Sequence, residues 1–317
     1  MEIKDILGLI DLAEGYQLQR KKKRKRPRYN VDIERLKKCV EPLKKLNALI
    51  GMEEIKRNIV DQILFYTQEL NTDEMMHMCI TGPPGVGKTT VGKILSELYC
   101  SMGFLKSDNF RIADRSDLIG GYLGQTALKT KKVLKESLNG VLFLDEIYSF
   151  GCGKDDSDSY SKECIDTINQ FLSEHTENFI MIIAGYHEEV ERCFFSMNPG
   201  LKRRFPWRYE IKDYSPENLK QIFIYQVKQN DWDFEPGFDF SLLDPLFSQR
   251  DYFKNNGGDC LNLMSRARIC HSRRVFGQPR YLKRLLNISD IRNAFDILKR
   301  HQQLHKKEST PPYGMYV

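Results

Sequence analysis

A glycine-rich segment that ends in lysine and threonine is the part of the sequence best suited to bind phosphate. Residues 82–89 read Gly-Pro-Pro-Gly-Val-Gly-Lys-Thr and match the pattern GxxxxGK[ST], with an apolar stretch before them and a helical pattern after them. Glycines let backbone N–H groups turn inward around phosphate oxygens, and the first turn of a following helix adds positive potential. We therefore predict a phosphate-binding loop made of the following residues: Gly82, Pro83, Pro84, Gly85, Val86, Gly87, Lys88, Thr89 and Thr90.

Two acidic residues after a second apolar stretch complete a predicted magnesium site. Residues 141–144 predict a buried strand, and Asp145 and Glu146 follow it directly. Because ligands bind at the carboxyl edge of a parallel sheet, we expect Asp145 to lie beside a Mg²⁺ ion that the Thr89 hydroxyl also holds. Glu146 is suited to polarise a water for attack on a γ-phosphate. The pair predicts hydrolysis of a nucleoside triphosphate, with solvated acids at a strand end as the alternative.

These residues require a sheet that brings two strand ends together. Apolar runs alternate with helical patterns up to about residue 213, which predicts an α/β fold: a P-loop parallel sheet with helices on both faces. After Asp213 the alternation gives way to helices, the first of them capped by Ser215 with Pro216 in its first turn. Strands are predicted at 76–80, 110–113, 141–144, 179–184 and 207–211, and a surface loop at 151–162.

The chain is expected to contain four parts. These are an N-terminal extension at 1–47, the α/β domain at 48–214, a small helical domain at 215–303 and a tail at 304–317. The extension contains the basic run Arg20 to Arg28. This run is either a nuclear-import or polyanion-binding segment or a solvated linker, and the two interpretations stay equally open.

Composition excludes several classes of protein. With 317 residues and 41% hydrophobic residues the chain can bury a large core, so it is no disulfide miniprotein. Its longest apolar run, 179–184, is too short for a membrane span, and the eight cysteines lack the spacing of a zinc site. The net charge is +6, but the eight basic residues of 20–28 leave the remainder at about −2. We expect an intracellular protein, cytoplasmic or nuclear.

Taken together, the motifs resemble those of AAA+ ATPases, and in particular the group of the rubisco-activase-like CbbX and the sporulation protein SpoVK, including the versions found in large DNA viruses. The resemblance covers about residues 49–215. It rests on residues 51–56, 82–90, 117–130, 140–148, 184–186 and 198–205.

The resemblance implies a homohexameric ring that binds ATP and Mg²⁺ at subunit interfaces, with the helical part as a lid domain. It implies that Arg204 reaches the neighbouring subunit's γ-phosphate as an arginine finger, with Arg203 as the second candidate. Leu49, Ile50 and Gly51 would line the adenine pocket. Tyr122 and Leu123 match the pore-loop position that grips an extended polypeptide, although a tyrosine packed within its loop is the alternative.

Two positions depart from the usual pattern of the family. The fourth strand leads into Ala184-Gly-Tyr186-His187, so either Tyr186 or His187 would be the polar residue that orients the attacking water. The lid domain usually supplies a second sensor arginine, but residues 255–262 contain none and Arg266 is the nearest.

The favoured function is a chaperone-like ATPase that remodels or threads a protein substrate of unknown identity. One alternative is a nucleic-acid-associated ATPase, clamp-loader-like or helicase-like, anchored by Arg20 to Arg28. The other is a binding module that uses ATP only as a switch. No membrane partner is expected.

Overall fold

The computed structural model describes six parts of the chain. They are residues 3–21, 31–70, 75–122, 124–147, 159–175 and 178–308. Contacts divide the chain into two units. The first comprises Met1–Gly82 and Gly87–Lys212, and the second comprises Pro83–Val86 and Asp213–Val317. The middle of the predicted phosphate loop is therefore grouped with the helical unit.

The first unit is built around a five-stranded parallel sheet, which confirms the predicted fold class. Its strand order is β2-β3-β4-β1-β5. Since β4 lies between β1 and β3, the residues that follow these three strands share one edge of the sheet. The strands are β1 (Met78–Thr81), β2 (Phe110–Ala113), β3 (Val141–Leu144), β4 (Ile180–Gly185) and β5 (Trp207–Glu210).

Four helices precede the sheet, and the first of them buries an apolar stripe. Ile6, Leu9, Ile10 and Ala13 are buried at the spacing of one helical face, whereas Leu7 is 52% exposed. These N-terminal helices pack against one another, and the third of them also packs against the helix that follows β1. The four are α1 (Ile6–Lys21), α2 (Ile33–Lys38), α3 (Val40–Asn47) and α4 (Glu53–Thr67).

Six further helices lie between the strands in the described residues of the first unit. Helix α5 approaches β3 closely because Gly92 has no side chain: a Cβ there would lie 2.6 Å from the Phe143 ring. The predicted surface loop at 151–162 is wrong at its end, since Ser159–Lys162 form the first turn of α8, and residues 151–158 lie outside the described residues. The helices are α5 (Lys88–Ser101), α6 (Arg115–Leu118), α7 (Gln125–Glu136), α8 (Ser159–Glu174), α9 (His187–Val190), which continues as a π-helix over Glu191–Phe195, and α10 (Leu201–Arg204).

The second unit is mainly helical, as predicted. The Ser215 hydroxyl accepts a hydrogen bond from the Asn218 N–H at 3.2 Å and caps α11, which has Pro216 in its first turn. The strands β6 (Asp233–Phe234) and β7 (Leu285–Leu286) form a short parallel pair that was not predicted. The helices are α11 (Pro216–Gln229), α12 (Asp244–Phe247), α13 (Gly257–Arg274) and α14 (Ile288–Glu308), with 3₁₀ turns at Phe240–Leu243, Arg250–Tyr252 and Arg280–Leu282.

Aromatic side chains hold the core of this second unit together. The Phe247 and Phe253 rings stack with centroids 4.9 Å apart, and Phe295 stacks on Phe253 at 5.9 Å. Among the residues described, no helix combines the length and the apolar character that crossing a bilayer would require.

Candidate functional site

The glycine-rich loop lies between β1 and α5. Gly82, Gly85 and Gly87 all have positive φ angles of 152°, 70° and 88°. At Gly82 a Cβ would also lie 2.4 Å from the backbone oxygen of Ile211, so this position needs glycine for both space and conformation. The loop thus has the backbone shape that can present successive N–H groups to an anion.

Lys88 and Thr89, the first two residues of α5, contact groups at the same edge of the sheet. The Lys88 Nζ donates to the Gly82 carbonyl oxygen at 2.8 Å and lies 5.5 Å from the centroid of the Tyr186 ring. Burial lowers the pKa of Lys88, while Asp145 and Glu146 act in the opposite direction. The lysine is therefore a partly desolvated positive charge beside the loop.

The Thr89 hydroxyl donates to the Asp145 carboxylate, with 3.2 Å between Oγ1 and Oδ2. This contact joins the residues that follow β1 and β3, as expected from parallel strands. A hydroxyl oxygen and a carboxylate oxygen are ligands that suit Mg²⁺, which takes few protein oxygens and completes its shell with waters and phosphates. The pair fits the predicted magnesium site.

Glu146 adopts an unusual backbone conformation directly after β3. Its φ is +51°, its side chain is exposed, and its N–H donates to the Asp145 Oδ1 at 3.0 Å. A non-glycine residue in the left-handed region costs about 1–3 kcal/mol, which the surrounding structure must offset. The turn separates the two acids, since Asp145 contacts Thr89 while Glu146 lines a cleft with the segment Asp114–Ser116.

The segment predicted to line an adenine pocket lies beside the loop. Leu49, Ile50 and Gly51 connect α3 to α4 and are half-buried, so they are not core residues. Met52 follows with φ +61°, and its methyl carbon lies 3.4 Å from the position that a Cβ on Gly87 would take. Sequence reasoning did not identify Met52, because a lone methionine after a glycine carries no distinguishing pattern.

The two candidate arginine fingers differ in their surroundings. The Arg204 guanidinium is half-buried at the end of α10, where it donates to the Gly200 carbonyl oxygen at 3.0 Å and to the Ser173 hydroxyl. Its buried Nε has no hydrogen-bond partner among the described residues. Arg203 is exposed, and the neighbouring Lys202 pairs with Glu191 at 2.7 Å. Of the three basic side chains, Lys202 and Arg203 are exposed, and only the Arg204 side chain is half-buried.

Tyr122 is exposed at 75% of its surface and is flanked by glycines. Gly124, with φ +79°, is the N-cap of α7, and the Gln125 N–H donates to the Tyr122 carbonyl oxygen at 3.2 Å. Because the ring is largely exposed, it is not the packed loop tyrosine of the alternative interpretation. Leu123 lies outside the described residues.

Of the two residues after β4, Tyr186 lies next to Lys88, and His187 is the first residue of α9. Sequence reasoning left both open as the residue that orients water. The structure assigns the contact with Lys88 to Tyr186.

Comparison with known proteins identifies relatives over most of the chain. Residues 78–212 match the ATPase family associated with various cellular activities (AAA). The chain is 39% identical over 292 residues to a putative cfxQ-like protein of Acanthamoeba polyphaga mimivirus, which covers 91% of this chain and 70% of that protein. It is 31% identical over 261 residues to a chloroplastic ribulose bisphosphate carboxylase/oxygenase activase of Cyanidioschyzon merolae, covering 79% and 88%.

A solved structure supports the fold. The FIGL-1 AAA domain in complex with ADP superimposes with a TM-score of 0.53 at 19% identity, covering 84% of this chain and 88% of that one. At this identity the likeness shows a shared fold.

Proposed function

Since this chain belongs to the AAA+ ATPases, in the group of the CbbX- and SpoVK-like proteins, we propose that it binds ATP with Mg²⁺ and hydrolyses it to ADP and phosphate. The observation that carries the proposal is the Thr89 to Asp145 hydrogen bond, with Lys88 and Glu146 at the same sheet edge. A glycine loop alone would account for anion binding. The acid pair adds a metal ligand and a base, which hydrolysis requires.

Each of these residues has one task in the proposed reaction. The N–H groups of the loop and the Lys88 ammonium bind the phosphate oxygens, and Thr89 and Asp145 hold the metal. A Mg²⁺ ion held by these two residues would supply positive charge that offsets the negative charge developing on the phosphate. Glu146 accepts the proton of the attacking water. The Glu146 side chain is exposed and leaves room for that water, whereas the Asp145 carboxylate is engaged by the Thr89 hydroxyl.

Hydrolysis is completed by a second copy of the chain in a ring, and we propose a homohexamer because the family resemblance implies one. Arg204 of one copy would approach the γ-phosphate held by the next, with Arg203 as the second candidate.

The energy of hydrolysis is proposed to act on a protein. Tyr122 supports this, because an exposed aromatic ring between glycines suits contact with the mixed side chains of an extended polypeptide. The relative named as a carboxylase/oxygenase activase is consistent with a protein as the substrate. Leu123 is proposed to act with Tyr122 in this pore loop.

The nucleotide retained by the protein tests the proposed hydrolysis. Wild-type protein, Glu146→Gln and the control Glu210→Gln are incubated with Mg²⁺ and ATP, separated from free nucleotide by gel filtration, and analysed for bound ATP and ADP. Glu210 is an exposed residue of β5. Removal of a general base slows a reaction by about 10²–10⁴-fold, so Glu146→Gln should retain ATP.

Wild-type protein and Glu210→Gln should retain ADP in the same experiment. Retention of ADP by Glu146→Gln would contradict the role of Glu146 as base. Absence of any bound nucleotide in all three proteins would contradict the binding site itself.

A further inference from the structure

Three successive carbonyl groups of the glycine-rich loop are each held by a hydrogen bond within the second unit. The Asn256 side-chain Nδ2 donates to the Pro84 oxygen at 3.2 Å, and the Gly257 N–H donates to the Gly85 oxygen at 3.0 Å. The Tyr214 hydroxyl donates to the Val86 oxygen at 2.7 Å. We call these three donors the carbonyl clamp.

The clamp determines the direction of the loop's N–H groups. In a planar trans peptide the carbonyl oxygen and the N–H of the next residue point in opposite directions. Fixing the carbonyls of Pro84, Gly85 and Val86 therefore directs the N–H groups of Gly85, Val86 and Gly87 away from the clamp. Pro83 and Pro84 have no N–H of their own, so these three amides are a large share of what the loop can offer to phosphate.

Asn256 is held in place by several partners. It is fully buried, and its Oδ1 accepts from the Tyr214 N–H at 3.1 Å and from Arg250 Nη2 at 2.7 Å. Its Nδ2 also donates to Asp213 Oδ1 at 3.0 Å, and Arg250 pairs with the same carboxylate at 2.7 Å. These contacts fix which end of the amide faces Pro84, since a flipped amide would place its oxygen against a carbonyl oxygen.

The backbone around the clamp shows the same close fit. Asn256 has φ +48° and ψ −119°, a conformation that a non-glycine residue adopts only where its surroundings enforce it. A Cβ on Gly85 would lie 2.0 Å from the Asn255 oxygen, and one on Gly257 would lie 2.9 Å from the Gly85 oxygen. Glycine at both positions is what allows the two backbone segments to approach.

We propose that Tyr214 and Asn256 are positioning residues for nucleotide binding: they hold the carbonyls of the loop so that its N–H groups face the phosphates. This inference rests on the proposed function, because it assigns a task within the same phosphate site. Neither residue touches the reacting atoms. Their contribution is to the affinity for di- and triphosphates and not to the chemical step.

The decisive comparison is Tyr214→Phe with Tyr225→Phe. Tyr214→Phe keeps the ring and removes the one hydroxyl that donates to Val86, whereas Tyr225 is an exposed tyrosine of α11. One lost hydrogen bond of ordinary strength corresponds to a change of about 2- to 12-fold. We therefore expect Tyr214→Phe to raise the ADP dissociation constant and the ATP KM by about 5-fold.

The turnover number should separate positioning from catalysis. An interaction made equally with bound substrate and transition state changes KM and leaves kcat unchanged. We expect kcat of Tyr214→Phe at saturating ATP to equal that of Tyr225→Phe. A fall in kcat with an unchanged KM would overturn the proposal.

A second pair of variants makes the test independent of the first. Asn256→Asp keeps an acceptor for the Tyr214 N–H and places a carboxylate oxygen against the Pro84 carbonyl, while Asn262→Asp adds the same charge at an exposed position of α13. We expect Asn256→Asp to weaken ADP binding more than Tyr214→Phe does and Asn262→Asp to leave it unchanged. If Asn256→Asp does not fold, as judged by its melting temperature, Tyr214→Phe decides.

The outcomes distinguish this inference from the proposed function. Wild-type protein that binds no ADP would refute the nucleotide site. Wild-type protein that binds ADP, together with Tyr214→Phe and Asn256→Asp variants that bind it as their controls do, would refute the carbonyl clamp alone.

Discussion

The phosphate site and the basic segment Lys202–Arg204 differ in how much of their surroundings a single chain supplies. At the phosphate site Thr89 contacts Asp145, and Lys88 contacts the carbonyl of Gly82. In the basic segment Arg203 is exposed, and the Arg204 Nε is buried without a hydrogen-bond partner in the described parts of the chain. We therefore expect a single chain to bind the nucleotide, and we expect turnover to depend in addition on an arginine supplied by a second copy.

Removing the guanidinium of Arg204 should have the largest effect on turnover. An arginine supplied from a neighbour is worth about 10³–10⁵-fold in kcat, so we expect Arg204→Ala to lose about 1000-fold in phosphate release while its ADP affinity stays unchanged. Phosphate release and ADP binding are measured on the same preparation.

Arg203→Ala serves as the matched variant for Arg204→Ala. If Arg203→Ala loses activity and Arg204→Ala does not, the assignment of the finger moves to Arg203. If neither loses activity, turnover does not need this segment, and the contrast between the two regions fails.

Lys88→Ala should weaken nucleotide binding and not only slow turnover. Removing one member of a hydrogen-bonded charge pair costs about 2–5 kcal/mol, and we expect the ADP dissociation constant to rise by about 100-fold. Lys93, an exposed residue of the same helix α5, supplies the control Lys93→Ala. Tight ADP binding by Lys88→Ala, measured by isothermal titration, would refute the loop assignment.

The pH dependence of ADP binding should show whether the positive charge of Lys88 contributes to the affinity. Because burial lowers the pKa of Lys88, this lysine loses its proton at a lower pH than an exposed lysine does. Bound phosphate favours the charged form of Lys88 and so raises its pKa in the complex. The contribution of Lys88 to ADP affinity is therefore fully present below the pKa of Lys88 in the nucleotide-free protein, and it is lost as the pH rises through the pKa of Lys88 in the complex. Lys93→Ala should follow the wild-type profile from about pH 7 to about pH 10, and Lys88→Ala should show no such loss.

Tyr122→Ala should have the smallest effect on the basal reaction. Substitution of an exposed side chain usually changes free energies by less than about 0.5 kcal/mol, so basal hydrolysis should stay within about twofold. Stimulation of hydrolysis by an unfolded polypeptide such as casein should be lost. Tyr281 has the same exposure, 74% against 75%, and Tyr281→Ala is the control.

Single-stranded DNA in the same assay tests the alternative function. Stimulation by DNA that is lost when residues 20–28 are deleted, with no response to casein, would favour the nucleic-acid-associated ATPase over a protein-remodelling one.

The sequence predicted the strands whose ends are marked by polar residues. The bounds 110–113 and 141–144 agree with β2 and β3, because each run ends at polar residues that turn the chain. The β6 and β7 pair could not be predicted, since two residues carry no alternation. In α1 the buried stripe includes Leu9 and Ala13 and leaves Leu7 exposed, because the packing partners, and not the periodicity alone, choose the face.

The residues of the site also differ in how far they could be recognised from the sequence. Lys88, Thr89 and Asp145 are recognisable because a fixed spacing serves a fixed chemistry. Tyr214 and Asn256 have no such signal, because they bind backbone carbonyls, and a hydrogen bond to the backbone does not restrict which residue types lie opposite. The exposed position of Tyr122 also depends on the surrounding fold and could only be proposed from the resemblance.

The most direct test of the proposed hydrolysis is the rate of phosphate release from ATP by the purified chain, measured with Mg²⁺ and again with EDTA. We expect steady release that requires Mg²⁺ and that falls by about 10²–10⁴-fold in Glu146→Gln. No release at any protein concentration, or equal release by Glu146→Gln, would contradict it.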